Sequence, residues 1–401
     1  MQRDDQYWRE IIDPGDRASE LAAEVCRGSY DNCPAVTVVP RQPGNFRGAV
    51  TFVPKPHVLQ MMADGTITMV VQNDGAGGKP QFMTLVGTPE AFATHPWEII
   101  TMNADDIARS GALPCVMAND LNAKGISDAN WHLFEAMMKG LGGALRATRI
   151  VNITGETAIM KHSITAFCDT GSSAQLVMTW GGTCIGLAHR DLFIDGSKIR
   201  PGMPVVGFWE KGFRCNGGTL CTNLLLHHFG PSPGDVVTNL KALEFAQKLV
   251  VPSQCYAPTI CRVIGWNSDG TVGQPLVRIT GIAHITGGGV WGKFVELLPD
   301  GIGANLYAMP QPAQVLLDAQ EMSQGTSFQL SDWRAYRTFH GGCGMLLVVE
   351  DADNAQRLID AATADGIKAS VVGQTTKSDD REVVIASAFR EGKFLSSLHP
   401  E

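Results

Sequence analysis

The sequence predicts two domains, an α/β N-terminal domain followed by an α+β C-terminal domain. The chain has 401 residues, which exceeds the roughly 250–300 residues at which a single hydrophobic core stops growing. Short β-branched runs alternate with longer segments of helical periodicity in the first half, and the last part reads strand, helix, strand. A hydrophobic content of 44% against 18% charged residues predicts a folded globular protein.

The N-terminal elements follow from local composition. Strands are predicted at 50–53, 67–71 and 149–153, because these runs are short, β-branched and bounded by Gly, Asp or Asn. Helices are predicted at 97–110 and 128–145, where apolar residues recur at helical spacing and the Ser-Asp pair at 127–128 supplies a helix start.

The C-terminal elements begin after two turn signals in the sequence. A strand over 174–185 precedes a turn at Asp195-Gly196 and a corner at Pro201-Gly202, which favours a division into domains 1–187 and 188–401. The elements predicted after it are a helix within 212–228, a helix near 239–249, a strand at 345–350, a helix at 353–365, and strands at 369–372 and 382–386.

Charge and cysteine usage exclude several classes of function. The net charge is −8, and no Lys/Arg cluster forms a stripe that could follow a nucleic-acid backbone. No run of 18 or more apolar residues exists and the first residues are polar, so we expect a cytoplasmic protein with no membrane partner. The ten cysteines form no C-x-x-C pair, which predicts reduced, buried thiols rather than a zinc site.

The run GIAHITGGG at 281–289 combines a strand-like stretch, His284 and three glycines. Successive glycines let backbone N–H groups converge on an anion, and the following residues fit a helix that ends near Pro299. Such turns also occur in loops that bind nothing. His284 has a reference pKa near neutrality that suits a general acid or base, although a core histidine bonded to backbone fits the sequence equally well.

A second candidate is VVQNDGAGGKP at 70–80, where a strand leads into Asp74 and a glycine loop before Lys79. An acidic residue beside such a loop suits Mg²⁺ and the phosphates that Mg²⁺ bridges. The loop is not a Walker A motif, because Pro80 stands where Ser or Thr is required. A solvated turn with an exposed lysine is the alternative.

Two further acidic segments complete the candidates. The adjacent Asp105 and Asp106 suit a hard cation, or serve as ordinary charges at a helix N-terminus. In VNITGETAIM, Glu156 and Thr157 follow a strand and Gly155, where a carboxylate is well placed for a metal or a substrate.

Taken in order, these segments resemble the phosphoribosylformylglycinamidine cyclo-ligase (AIR synthetase) family. The DGAGGK at 74–79 looks like the family's DGVGTK, 106–114 like its ND-to-GAEP run, and 155–160 like GGETAEM. FIDGSKIRPGMPVVG at 193–207, Asn216-Gly217, GIAHITGGGVW and AYRTFHGGCGMLLVV follow the family order, so that the similarity runs from about 70 to 372.

The chain also departs from the family motifs. No glycine-rich ATP segment is evident in RQPGNFRGAVTF at 41–52. Single positions near the expected pocket differ as well: Gly78 for Thr, Asp105 for Asn, Arg214 for His, Gly292 and Lys293 within the ENIPR stretch, and His340 for Asn.

The resemblance implies ATP and Mg²⁺ as cofactors and formylglycinamidine ribonucleotide as the small-molecule substrate, whose amide oxygen is phosphorylated before the imidazole ring closes. It implies catalytic roles for His284, Lys79 and Asp106, and metal ligation by Asp74, Asp106 and Glu156. The implied cofactor-binding residues are Asp74, Gly75, Gly77, Lys79, Gly155, Glu156 and Thr157. The implied substrate-binding residues are Asn216, Gly217, Gly287, Gly288 and Gly289.

The same resemblance implies a homodimer in which the N-terminal sheets of two chains form a barrel. Three related enzymes fit less well: selenophosphate synthetase needs a cysteine-containing glycine loop, the hydrogenase-maturation relative a C-terminal cysteine, and thiamine-monophosphate kinase lacks the HITGGG run. A divergent member that phosphorylates another small substrate, or a non-catalytic nucleotide-binding homologue, stays open.

Overall fold

The computed structural model describes residues 13–39 and 50–400. The strands are β1 (Val36–Val39), β2 (Thr51–Pro54), β3 (Ile67–Gly75), β4 (Leu113–Ala123), β5 (Val151–Ile159), β6 (Met178–His189), β7 (Pro204–Trp209), β8 (Ile279–His284), β9 (Ile302–Leu306), β10 (Cys343–Val349), β11 (Ala369–Lys377), β12 (Val383–Ala386) and β13 (Phe394–Ser396). The helices are α1 (Asp13–Gly28), α2 (Pro56–Ala63), α3 (Lys79–Val86), α4 (Pro89–Thr94), α5 (Pro96–Ala108), α6 (Trp131–Thr148), α7 (Gly218–Phe229), α8 (Pro233–Thr238), α9 (Leu240–Leu249), α10 (Ala257–Ile264), α11 (Gly289–Leu297), α12 (Gln314–Ser323), α13 (Asp332–Thr338) and α14 (Ala352–Ala364).

The N-terminal part is built on a four-stranded sheet in the order β3-β6-β4-β5. β6 runs antiparallel to both β3 and β4, while β4 and β5 are parallel. Helix α5 packs against β3 and β6 and is buried over most of its length. It begins at Pro96, whose fixed φ suits the first helical position. The helix predicted at 97–110 and the strand at 67–71 are thereby confirmed.

The C-terminal part is built on a seven-stranded sheet in the order β13-β12-β9-β11-β7-β10-β8. Its pairs are antiparallel except for β9 and β12. β10 is a continuous apolar run that is buried at every residue, as expected for an inner strand that pairs on both sides. The elements predicted at 345–350, 353–365, 369–372 and 382–386 are confirmed as β10, α14, β11 and β12.

In the N-terminal part, strand β4 and the start of helix α6 differ from what the sequence predicts. β4 was not predicted, because its sequence LPCVMANDLNA mixes proline, asparagine and aspartate into a run that lacks the strand signature. Pairing with β5 and β6 on both sides overrides that local weakness. Helix α6 begins at Trp131 rather than at Asp128, because the Asn130 side chain accepts the Ser127 N–H and holds 127–130 in a turn.

The chain passes from the first sheet to the second between His189 and Pro204. The division at 187/188 stays a prediction, as does the role of 41–49, which lies outside the described residues. Among the described strands the first sheet is open, so the predicted barrel is not formed within one chain. All ten cysteines are buried and free, as predicted. Over the described ranges, no helix has both the length and the apolarity needed to cross a membrane.

Candidate functional site

A cavity of about 550 Å³ lies where the two sheets approach each other. Its walls come from β3, the C-terminal end of α5, the turn at 193–195, the end of β8 and helix α11. Asp106, His284 and Lys293 line this cavity, and Asp74 lies beside it, in electrostatic contact with all three. We refer to these four residues as the cleft site.

The end of β3 is tied to α5 through Asn103. Its side-chain oxygen accepts the Asp74 N–H at 3.2 Å, and its amide nitrogen donates to the Asp74 carbonyl oxygen at 3.1 Å. Asn103 and Asp106 are three residues apart on α5 and therefore share one helix face. This arrangement brings Asp74 and Asp106, 32 positions apart in the sequence, to the same side of the cleft.

His284 is bonded through both ring nitrogens. Nδ1 lies 2.8 Å from Asp106 Oδ1, and Nε2 lies 2.8 Å from Arg214 Nη2. A guanidinium has only donors, so Nε2 must accept and the single ring proton must lie on Nδ1, donated to Asp106. His284 is therefore a neutral imidazole that orients Asp106. In this arrangement neither nitrogen is free for the acid–base role predicted from the sequence.

Arg214 is the centre of a buried network. Its Nη1 donates to Glu210 Oε2 at 2.7 Å, and its Nη2 lies 3.3 Å from Asp105 Oδ2. Asp105 also accepts the N–H groups of Tyr256 and Ala257 at 2.8 Å each, where α10 begins. Asp105 and Arg214 both depart from the family motifs, and they contact each other. Asp105 is thus a structural residue, whereas Asp106 faces the cavity.

The two cleft carboxylates differ in electrostatic environment. Burial raises the pKa of Asp74, and the negative charge of Asp106 adds to that rise, against the Gly75 N–H, which lowers it. Burial alone would also raise the pKa of Asp106, but the hydrogen bond from His284 and the cations Arg109 and Lys293 bring it below its usual value. A lower pKa favours the charged carboxylate at Asp106.

Lys79 does not face the cavity, which corrects the role in phosphate binding predicted for it. Its side chain is fully buried, and its Nζ donates to Glu98 Oε1 at 2.8 Å and to the carbonyl oxygens of Phe213 at 2.7 Å and Val251 at 2.6 Å. An ammonium group has three protons, and here all three are used. Lys79 therefore joins α3 and α5 to the loops that precede and follow α7–α9.

Glu156, Gly155 and Thr157 lie on β5, away from the cleft site. Glu156 pairs with Asp120, Asp120 with Gly181, and Gly181 with Gly75, so three strand spacings of about 4.8 Å separate Glu156 from the end of β3. One chain therefore brings Asp74 and Asp106 together without Glu156, whose role as a metal ligand stays a prediction. Across the described residues, no group of three or more His, Cys, Asp or Glu is placed to hold a metal ion.

The glycine loop after Asp74 packs on the turn that opens α7. Gly77 has φ +57°, and a Cβ there would overlap the Cys215 carbonyl oxygen. A Cβ at Gly78 would lie 3.2 Å from the Cα of Gly218. This close backbone approach explains why Gly78 replaces the threonine of the family motif, since a side chain there would push the two turns apart.

The triple glycine lies beside Asn216, and the substrate-binding role of these residues stays a prediction. A Cβ on Gly287 would lie 3.7 Å from Asn216 Nδ2. The Asn216 side-chain oxygen is buried and has no hydrogen-bond partner, so an acceptor remains available to a ligand. Gly288 caps α11 with φ +90°, and Gly289 follows with φ +60° against the Tyr336 carbonyl. Gly288 and Gly289 therefore shape the turn that opens α11.

The site is completed by residues that the sequence analysis did not identify. Glu210 holds Arg214, Asn103 holds Asp74, and Arg109 lies 3.4 Å from Asp106. The one available signal was position: Glu210 comes directly after the apolar strand β7, where an interior carboxylate needs a partner.

Known proteins with curated names resemble this chain over most of its length. Phosphoribosylformylglycinamidine cyclo-ligase of Sorangium cellulosum is 28% identical over 316 residues, which cover 78% of this chain and 81% of that protein. The protein of the same name from Thermococcus kodakarensis is 27% identical over 314 residues, which cover 76% and 79% of the two chains.

Solved structures with the same fold include proteins named for other functions. The hydrogenase maturation protein HypE in complex with ATP gives a TM-score of 0.55 at 14% identity and covers 90% of each chain. A thiamine-monophosphate kinase from Stenotrophomonas maltophilia gives a TM-score of 0.51 at 14% identity, covering 85% of this chain and 89% of the kinase. At this identity the likeness shows the fold alone, and it agrees with two mixed α and β sheet units.

Two family models match the chain and together span more than half of it. The one described as AIR synthase related protein, N-terminal domain, matches residues 55–188 and so includes β3, α5 and the carboxylates of the cleft site. The one described as AIR synthase related protein, C-terminal domain, matches residues 272–386 and includes His284, Lys293 and the triple glycine. The chain therefore belongs to the AIR synthase related protein family.

Proposed function

We propose that this protein closes the imidazole ring of aminoimidazole ribonucleotide from formylglycinamidine ribonucleotide, using ATP, in purine biosynthesis. The observation that carries the proposal is the carboxylate pair Asp74 and Asp106 beside a cavity, in a chain whose curated relatives are named for this reaction. In the proposed reaction the substrate amide oxygen attacks the γ-phosphorus and ADP leaves. An amidine nitrogen then attacks the activated carbon, the C–O bond breaks, and phosphate leaves.

The donor chemistry of the cleft site fits Mg²⁺ arriving with ATP. Mg²⁺ is commonly held by one or two carboxylates together with substrate phosphates, rather than by a complete protein cage. Asp74 and Asp106 supply such a pair, and the charge of Asp106 raises the pKa of Asp74, a repulsion that a divalent cation would relieve. When bound, the ion would neutralise charge on the transferring phosphoryl group.

The chain's own residues would hold the reacting groups in place. His284 donates to Asp106 Oδ1 and so engages one carboxylate oxygen, leaving the other for the ligand. Asn216, with its unpaired oxygen beside Gly287, would accept a hydrogen bond from the substrate. Preorganised groups of this kind lower a barrier because they need no rearrangement during the reaction.

We also propose a homodimer that pairs the open four-stranded sheets. On β3 the alternate side chains Met69 and Val71 are 43% and 59% exposed, which gives this sheet an uncovered apolar strip. Contiguous apolar surface of this kind is typical of protein interfaces.

A second candidate function is phosphorylation of a different small substrate by the same site. Arg214, Lys293 and His340 differ from the family motifs, and Lys293 lines the cavity itself. A homologue that binds nucleotide without catalysis would keep the cleft site and show no turnover.

The test is phosphate release from Mg²⁺–ATP with formylglycinamidine ribonucleotide, for the wild type and Asp106→Asn. The substitution keeps an oxygen that accepts from His284 but removes the charge. Release that depends on the substrate and falls by at least about a hundredfold in the variant supports the cyclo-ligase. ATP binding without release favours the second candidate, and absence of both contradicts an ATP-dependent enzyme.

A further inference from the structure

We infer that Lys293 binds the phosphate chain of the ligand, the part that sequence analysis predicted for Lys79. This inference rests on the proposed function, because it assigns a residue to the anionic part of the ligand at the same site. Lys293 lies in the stretch where the chain departs from the family motif. The contact would therefore be a feature of this chain and not of the motif.

Lys293 lies on α11 and lines the 550 Å³ cavity together with Asp106 and His284. Its side chain is partly buried. Within the part of the chain that the structure describes, it makes no hydrogen bond and no ion pair within 4.0 Å. A partly buried ammonium without a partner is unfavourable, and an anionic ligand would supply that partner.

The neighbouring cations already contact acidic side chains or carbonyl groups. Lys79 is fully buried and uses all three protons on Glu98 and two carbonyl groups. Arg214 is buried against Glu210 and Asp105, and Arg109 lies 3.4 Å from Asp106. Of the described basic side chains around the cavity, Lys293 is the one whose charge is not compensated by contact.

Lys293 faces the negative charges of Asp74 and Asp106. It is close enough to stabilise the charged forms of Asp74 and Asp106, yet neither carboxylate contacts it. Glu296, one turn later on α11, is exposed and makes no ion pair with it, and Asp195 bonds Ser197. Space therefore remains between an ammonium and two carboxylates. A metal–polyphosphate complex carries both charges and would place its cation on the carboxylates and its oxygens on Lys293.

The test compares wild type, Lys293→Met, Lys293→Arg and the control Lys241→Met, which removes an exposed lysine on α9. Isothermal calorimetry measures the Kd of Mg²⁺–tripolyphosphate and of Mg²⁺–ATP, and thermal unfolding verifies folding. We expect Lys293→Met to weaken both by about tenfold to a hundredfold, the range of one charge-assisted hydrogen bond. Lys293→Arg should recover most of the loss, and Lys241→Met should bind as the wild type does.

The outcomes separate this inference from the proposed function. Equal binding by wild type and Lys293→Met overturns the inference, even if the wild type turns over formylglycinamidine ribonucleotide. Binding of tripolyphosphate that depends on Lys293 supports it, even if that substrate gives no phosphate release. A wild type that binds neither probe contradicts it, because no polyphosphate site then exists.

Discussion

His284 and His340 are two buried histidines that the surrounding atoms hold in opposite tautomers. His284 Nε2 must accept from Arg214, so its proton lies on Nδ1. In His340 the Nδ1 atom accepts the Gly342 N–H at 3.1 Å, and Nε2 lies 2.8 Å from the Gly212 carbonyl, so its proton lies on Nε2. Each ring is thereby a fixed part of the hydrogen-bond network.

The opposite tautomers can be observed directly. In ¹⁵N-histidine NMR spectra at neutral pH we expect one ring protonated only at Nδ1 for His284, and one protonated only at Nε2 for His340. The variants His284→Gln and His340→Asn assign the signals. If His284 carries its proton on Nε2, it cannot accept from Arg214, and the orienting role that we give to His284 on Asp106 is wrong.

The stability of the fold should depend on pH through its buried histidines. Burial lowers the pKa of His95 and of His340 from 6.5 to about 4. The unfolded chain thus binds more protons between these values, so their contribution is complete above pH 6.5 and is lost as pH falls towards 4. For each histidine, a tenfold difference in proton affinity between the folded and unfolded chain corresponds to about 1.4 kcal/mol.

We therefore expect His340→Asn to lose less stability than the wild type between pH 7 and pH 5, by about 2 kcal/mol. Urea unfolding at the two pH values measures this difference. Because asparagine does not titrate, the variant removes one of the two contributions and leaves that of His95. Parallel losses in both proteins would show that His340 does not titrate as its burial indicates.

At the scale of elements, the turn into α11 contains glycines that shape the backbone and one, Gly287, that faces Asn216. Gly289 has φ +60° and lies against the Tyr336 carbonyl, so a side chain there clashes. Gly287 has no such conformation, and a Cβ there meets only Asn216 at 3.7 Å. The two positions are two residues apart and serve as matched controls.

We expect Gly289→Ala to destabilise the protein by at least about 1–3 kcal/mol, the cost of strained left-handed backbone. Gly287→Ala should leave the free energy of unfolding within about 0.5 kcal/mol and instead weaken substrate binding. Chemical denaturation and calorimetry separate the two effects. The assignment of Gly287 to the ligand is contradicted if its alanine variant binds as the wild type does.

Helix α5 carries the polar contacts between the two sheet units. Glu98 accepts from Lys79, from the Ser253 N–H and from the Ser253 hydroxyl, while Asp105 caps α10. The two acids are seven residues apart and so lie on the same face of the helix. Both are fully buried. Ser253, Tyr256 and Ala257 come from a segment far along the chain, so this face joins the N-terminal helix to a C-terminal loop.

Lys79 is expected to stabilise the protein through this face. Lys79→Met should cost about 3–5 kcal/mol, because it leaves the Glu98 charge buried without its cationic partner. Lys79→Met combined with Glu98→Gln should cost less than the sum of the single changes. Urea denaturation of all four proteins gives the coupling energy. Additive effects would mean that the buried pair does not act as a unit.

For the whole molecule, the proposed dimer predicts a mass in solution of twice 43.0 kDa. Val71→Glu places a charge on the uncovered strip of β3 and should give monomers, since a desolvated charge without a partner opposes association. The control Leu240→Glu changes a side chain that is 75% exposed on α9 and should leave the dimer intact. Light scattering after size-exclusion chromatography measures both. A monomeric wild type would contradict the pairing of the sheets.

The sequence by itself determined the two mixed α and β parts and most of the strands, and it named Asp74, Asp106, His284 and Asn216 as candidate site residues. Periodicity and turn residues act locally, and these signals lie within short segments. Strand β4 was not predicted, because its formation depends on pairing with β5 and β6 on its two sides. Only the tertiary structure decided that Lys79 is buried, that Glu156 lies three strands away from the end of β3, and that Asp105 pairs with Arg214. Burial and pairing arise between segments far apart in the chain, so the charge of a side chain does not reveal which partner it meets.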